Sequence, residues 1–341
     1  LKLDRIEQAR PRRFAERLDR PPPPGCEAAF PADFGRRFVV FGDAEEEFDW
    51  GAPLSRDSTS TDAFALPVAT RFFGEHGVVP TYVADWPVVT NPASAAALQA
   101  MAEAGACDVG AHLHPWVNPP HEEEVTGPNS FAGALPEPLE AAKLRLLTEK
   151  IESLTGRPPL AYRAGRYGVG PNTAALLQTL GYRLDVSVRA RFDYRREGGP
   201  DFTHHPIRPY WVAEQLLEVP LTTCLAGGLG RWPSLSRSET LRGPLARTKL
   251  LNRIPLTPEG VPLAEAKDAI ERLLDEGHAL FSLSFHTPTV VPGHTPYVRD
   301  AEDLRRFWSW WDGVFALFAR HGVTPVRSRE IYEAAAGLEP C

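Results

Sequence analysis

Sulfur is scarce in this sequence, with four cysteines and one methionine among 341 residues. Cys26, Cys107, Cys224 and Cys341 stand far apart and form no Cys-x-x-Cys pair, which argues against a cysteine zinc site. So few thiols suit a reduced, cytoplasmic protein. Lysine is rarer still for its class: five of the 37 basic residues, the others being arginine, a bias we read as codon usage rather than chemistry. There is no basic tract and the net charge is −7, which argues against a nucleic-acid partner. No stretch approaches 18 uninterrupted apolar residues, so no membrane-spanning helix is expected. The first twenty residues lack the apolar core of a secretory signal. Also missing are G-x-S-x-G, a P-loop, H-E-x-x-H and a G-x-G-x-x-G after a strand, which removes the commonest hydrolase and nucleotide-binding signatures.

What remains is a globular composition. Residues of the AVILMFWYC class make up 43% of the chain, enough for a sizeable core. Proline is plentiful at 34 residues, which predicts many stiff, irregular loops. Residues 1–35 read as an extension, a short charged helix followed by a polyproline spacer at Pro21 to Pro24. Beyond it, apolar strand patterns alternate with helical ones: 36–43, 78–85, 107–114, 160–165, 181–188, 216–222, 279–286 and 323–326 are the strand candidates. The last long helical pattern sets Leu304, Phe307, Trp308, Trp311, Phe315 and Phe318 on one stripe, the spacing of a core face. The alternation predicts one α/β domain over 36–341, built on a mostly parallel sheet or a (β/α) barrel. A segment around 223–261, rich in Gly, Pro and Arg, reads as a lid-like insertion.

Polar residues collect where the predicted strands end, the place where α/β folds hold ligands. Asp43 and Glu45 close the first strand and share a side if the chain stays extended. Two carboxylates there can divide the work of metal ligand and base. His112 and His114 end the third run and also share a side, a workable pair of imidazoles for one cation, with His121 in the following loop as a further candidate. Arg163 precedes the turn Gly165-Arg166-Tyr167-Gly168, where an arginine can oppose a carboxylate's charge and backbone N–H groups can receive an oxyanion. His286 follows the alternating run 279–285 and is placed as a general acid. Asp193, in the loop after 181–188, is a candidate supporting acid. Trp50, Trp116, Tyr210 and Trp211 are candidates for stacking on sugar faces.

Taken in order, these clusters resemble the polysaccharide deacetylase family (the NodB homology domain, carbohydrate esterase family four). The form GDAEEEFDW with HLHPW and PGHTPYV is most similar to the WalW-type branch, associated with lipopolysaccharide synthesis. The resemblance covers about residues 36 to 335 and implies a distorted (β/α) barrel of seven strands, fewer than the usual eight. It implies a divalent metal, Zn²⁺, on Glu45, His112 and a neighbouring imidazole, His114 or His121. Asp43 would be the base, Arg163 its buttress, the Tyr167 region the oxyanion donor, Asp193-Tyr194 the counterpart of the family's Asp-Trp motif, and His286 the acid. Two features depart from the family: its first motif is usually Asp-Asp where this chain reads Asp-Ala-Glu, and its histidines are four apart where Trp116 follows His112 at that distance. The implied reaction removes an N-acyl group, acetyl first of all, from an amino sugar or glycan. The alternatives are a non-catalytic carbohydrate-binding protein on the same fold, and a deformylase or cyclic-amide hydrolase using the same site.

Overall fold

Arg37–Ala44 (β1) alternates residues of two kinds. Phe38 and Val40 enter the large core packed under the helices, whereas Val39 and Phe41 enter a second apolar cluster. The chain is described by a computed structural model covering residues 13–226 and 252–338. The predicted N-terminal helix falls largely before residue 13, and the middle of the predicted insertion falls at 227–251, so both lie outside the described residues, as does Cys341.

Along the chain, β1 is followed by α1 (Asp62–Glu75), β2 (Thr81–Ala84), α2 (Trp86–Thr90), α3 (Pro92–Glu103) and β3 (Asp108–Leu113). Then come α4 (Glu137–Thr155), β4 (Ala161–Ala164), α5 (Thr173–Thr179), β5 (Leu184–Asp185), β6 (Tyr210–Ala213), β7 (Leu216–Glu218), β8 (Thr223–Ala226) and β9 (Asn252–Pro255). The described chain closes with α6 (Leu263–Asp275), β10 (Leu280–His286), α7 (Ala301–Arg320), β11 (Thr324–Pro325) and α8 (Ser328–Ala336). Local chemistry sets several starts: Asn91 accepts hydrogen bonds from the N–H groups of Ala93 and Ser94 at the head of α3, and Asp300 does the same for Glu302 and Asp303 at α7.

The main sheet has nine strands in the order β10-β1-β2-β3-β4-β5-β7-β6, with β11 beside β1. The run from β10 to β7 is parallel throughout, seven strands as expected; β6 adds an antiparallel strand at one edge. The sheet curls but its strands do not close on themselves. Irregular chain spans the gap: Leu221 N–H donates to Val188 O, Thr222 N–H to Ser282 O (3.1 Å) and Ser284 N–H to Leu256 O (3.2 Å). The fold is therefore a distorted NodB-type (β/α) barrel. The described part of the N-terminal extension lies along β6, with Ala15 N–H on Trp211 O and Trp211 N–H on Cys26 O. This covers an otherwise open strand edge.

Period-2 alternation decides what the lumen contains. Val39, Phe41 and Asp43 face one way on β1, Leu280 and His286 do so on β10, and Ala161 and Arg163 on β4. The early residues of this set pack with Phe34, Ile331 and Ala335, so an apolar plug fills the N-terminal end of the barrel. The late residues are polar and open into a cavity at the C-terminal end. On the outer face, Phe73, Phe285, Trp311 and Phe315 form an aromatic layer that Phe38 extends to Phe318, so most of the α7 stripe serves as core. Among the described residues no helix is long and apolar enough to cross a membrane.

A candidate metal centre at the C-terminal end of the strands

Asp43, Glu45, His112, His114, Arg163, Tyr167 and His286 all line one cavity of about 430 Å³. Strand register explains part of this gathering: Asp43 pairs with His286 across β1 and β10, and His112 with Arg163 across β3 and β4. Glu45 follows β1 and His114 follows β3, each two residues beyond a lumen-facing neighbour.

Glu45, His112 and His114 converge. The Nε2 atoms of the two imidazoles stand 3.4 and 3.5 Å from Glu45 Oε2, and one ligand atom from each residue fits within 4.8 Å of the others. Both imidazoles have their other nitrogen engaged: His112 Nδ1 donates to Arg163 O at 3.0 Å, and His114 Nδ1 to Glu46 Oε2 at 2.7 Å. Fixing the proton on Nδ1 leaves Nε2 as a lone-pair donor toward Glu45. Burial holds both imidazoles neutral: it lowers His112 well below the usual range and brings His114 down to about 3. Glu45 is 2% exposed and receives no hydrogen bond among the described residues. Burial, reinforced by Glu46, Asp43 and Asp85 against the opposing charge of His286, pushes its carboxyl well up. A buried acid with no donor, facing two neutral imidazole nitrogens, lacks only a cation. The donor set, two imidazoles and a carboxylate, suits a divalent transition metal.

His114 is held on every side. Its ring stacks on Trp116 (centroids 4.3 Å apart), and Glu46 is fixed in turn, its N–H donating to Asp85 Oδ2 at 2.8 Å. Glu46, Asp85 and His114 form a second group of potential ligands, reached through the opposite ring nitrogen. The loop carrying Trp116 is clamped by the buried Lys143, whose Nζ donates to the carbonyls of Pro115, Asn118 and Pro120 and pairs with Glu123 at 3.0 Å. Gly165 supplies the remaining wall: a Cβ there would lie 2.2 Å from His114 Cδ2 and 2.7 Å from Leu113 O. Gly165→Ala is therefore expected to displace His114 and weaken metal affinity about 10–100-fold, checked by competition with a chelator; unchanged affinity would remove His114 from the ligand set.

Asp43 is buried beside this group. Arg163 Nη1 donates to its Oδ1, and His286 Nε2 stands 3.8 Å from its Oδ2. Arg163 is itself enclosed, with Nε on Val186 O. His286 Nδ1 donates to Glu259 Oε2 at 2.7 Å, while Glu259 Oε1 accepts from His286 N–H and the Thr289 hydroxyl. Burial alone would lower His286, but Glu259, Glu45 and Asp43 outweigh it and raise the imidazole to about 10. Burial likewise opposes the charge of Glu259, yet the charge and hydrogen bonds of His286 bring its carboxyl below the usual value.

Other expectations fall elsewhere. Asp193 does not line the cavity; it pairs with Arg195 at 2.9 Å and bridges to Asp201. Asp185 and Glu218, in register across β5 and β7, are buried acids within the electrostatic reach of Arg163; burial raises both, against the smaller opposing effect of the Arg163 charge. His121 is exposed and outside the cluster, so His114 is the imidazole beside His112. Trp50 and Trp116 line the cavity, Trp50 being 40% exposed and edge-on to both His286 and Tyr297. Tyr210 and Trp211 are buried in β6 and do not line it. Tyr167 lies in its wall, and Arg166 and Tyr167 take successive left-handed conformations (φ 54° and 60°), a strained turn of the kind that collects at functional sites. Glu259, Glu46 and Asp85 are the site residues that sequence reasoning missed.

No family model matches the chain, and no curated protein matches it. Among solved structures it is similar to a protein assigned as a polysaccharide deacetylase from Mycobacterium smegmatis, at 17% identity and a TM-score of 0.52, covering 93% of this chain and 96% of that one. It is also similar to PuuE allantoinase, at 15% identity and a TM-score of 0.54, with the same coverage. At these identities the likeness is one of fold. Both support the distorted (β/α) barrel that the motif resemblance implied.

Proposed function

We propose that this chain is a metal-dependent amide hydrolase that removes an N-acyl group, acetyl in the first instance, from an amino sugar. One observation carries the reading: a buried Glu45–His112–His114 triplet stands next to an arginine-held carboxylate, Asp43, and across from a carboxylate-held imidazole, His286. A divalent ion on the triplet would polarise the scissile carbonyl and acidify the attacking water. Asp43, kept in place by Arg163, takes the proton of that water. His286, charged and oriented by Glu259, gives a proton to the departing amine nitrogen. The backbone around Tyr167 is the proposed donor to the oxyanion. Phe48, Trp50 and Tyr297 offer rings for the faces of a sugar. The likeness of fold to a deacetylase supports the same choice.

The size of the cavity favours a second reading. About 430 Å³ suits a compact ligand, so opening of a cyclic amide by the same groups stands behind deacetylation; one of the fold relatives is an allantoinase. Metal analysis of the purified protein, with acetate release measured over a panel of N-acetylated sugars and ring opening over cyclic amides, tests both. One equivalent of metal with acetate release supports the first. A protein that takes up no metal and hydrolyses nothing in either panel would leave a carbohydrate-binding role.

A further inference from the structure

Three arginines line the cavity, and two of them are neutralised: Arg163 by Asp43 and Arg166 by Glu197. Arg189 differs. Its guanidinium lies over the rings of Phe192 (4.1 Å) and Tyr167 (5.3 Å), and Nη1 donates to the Tyr194 hydroxyl at 3.2 Å. Among the described residues no carboxylate pairs with it; Nε is buried without a partner, and Nη2 donates to no acceptor. Ring faces attract a guanidinium less strongly than an anion does, and they leave its in-plane N–H groups unused. Tyr194 and Tyr167 stack on one another and hold the guanidinium in place, and Tyr167 lines the same cavity as the Asp43–Arg163 pair. The uncompensated cation is thus fixed in the wall of the same cavity that holds the reacting groups.

Resting on the hydrolase reading above, we propose that Arg189 recognises an anionic substituent, a carboxylate or a phosphate, carried by the substrate within one sugar unit of its N-acyl group. Such groups take charge-assisted, often bidentate hydrogen bonds from arginine, and a desolvated site of this kind discriminates strongly against a neutral analogue, which leaves the donors unpaired. Arg189 is a specificity-determining residue and takes no part in proton transfer.

The test compares N-acetylglucosamine with its 6-phosphate and its 6-carboxylate. Binding is measured by calorimetry and acetate release is measured with the zinc-loaded protein. The native chain is expected to bind one of the charged compounds at least about tenfold more tightly than the neutral one, with the preference appearing in KM. Which charged compound is preferred tells phosphate from carboxylate. In Arg189→Met the preference should collapse toward unity, and Arg189→Lys should keep part of it; melting temperatures establish that both variants are folded. The proposal is overturned if the native protein binds all three alike, a result that needs no variant, or if a folded Arg189→Met keeps the preference. Acetate released equally from all three would sink this inference and leave the hydrolase standing. Arg189-dependent binding of a charged compound with no acetate from any would support the anion site and sink the deacetylase reading.

Discussion

Asp43→Asn is expected to lower turnover by about 10²–10⁴-fold while the protein still binds one equivalent of metal. Asn keeps the shape of the side chain and an oxygen for Arg163 Nη1, so the buried guanidinium does not lose its acceptor. What it removes is the ability to take a proton. The metal should stay because Glu45, His112 and His114 converge without any contribution from Asp43. His112→Ala is the contrasting variant: it deletes one of two imidazole donors and should lose both metal and activity. Initial rates paired with metal content separate the two cases. Asp43→Asn retaining more than about a tenth of native turnover would move the base elsewhere, and loss of its metal would make Asp43 a ligand.

The contrast between these variants follows from a feature that was readable in the sequence. Alternation puts Asp43 and Glu45 on one side of the chain, and His112 and His114 on one side of another, so both pairs enter the lumen once the strands are parallel neighbours. Arg163 and His286 follow by the same rule, each at the C-terminal end of its strand. Partners distant in sequence were not readable. Glu259 is 27 residues from His286, Asp85 is 39 from Glu46, and Glu46 is 68 from His114. An imidazole needs an acceptor on its second nitrogen, but nothing in the spacing says which of 44 acids supplies it. Asp193 stands in the loop after 181–188, where a supporting acid is expected, but it pairs with Arg195, two residues on, and does not line the cavity. The strand β6 has no clear signal in the sequence, because it turns into β7 through Glu214-Gln215, a connection with none of the Gly or Asn that marks a tight hairpin. The segment around 223–261, read as an insertion, contributes structure through its described ends: β8 and β9 pair, and the chain after β9 runs beside β10 and delivers Glu259.

Glu259→Gln is expected to move the alkaline limb of the pH–rate profile to lower pH by about one unit or more. The raised pKa of His286, about 10, rests on Glu259, Glu45 and Asp43 overcoming burial. A cation bound at the triplet would offset the charge of Glu45, leaving Glu259, in direct contact with Nδ1, as the main support of the imidazolium. Gln still accepts a hydrogen bond at that position but carries no charge, so burial gains the upper hand and the proton leaves at lower pH. The direction is fixed by linkage. A histidine raised in the folded state contributes stability that is complete below its unfolded value near 6.5 and fades as pH rises through about 10. The native protein should therefore lose this contribution only on the alkaline side, and Glu259→Gln should lose it earlier. NMR titration of the His286 imidazole, read beside kcat across the same pH range, checks both statements. A limb that moves together with the imidazole makes His286 the proton donor. An imidazole that shifts while the limb stays assigns the donor to another group, and an imidazole that does not shift removes Glu259 from its role.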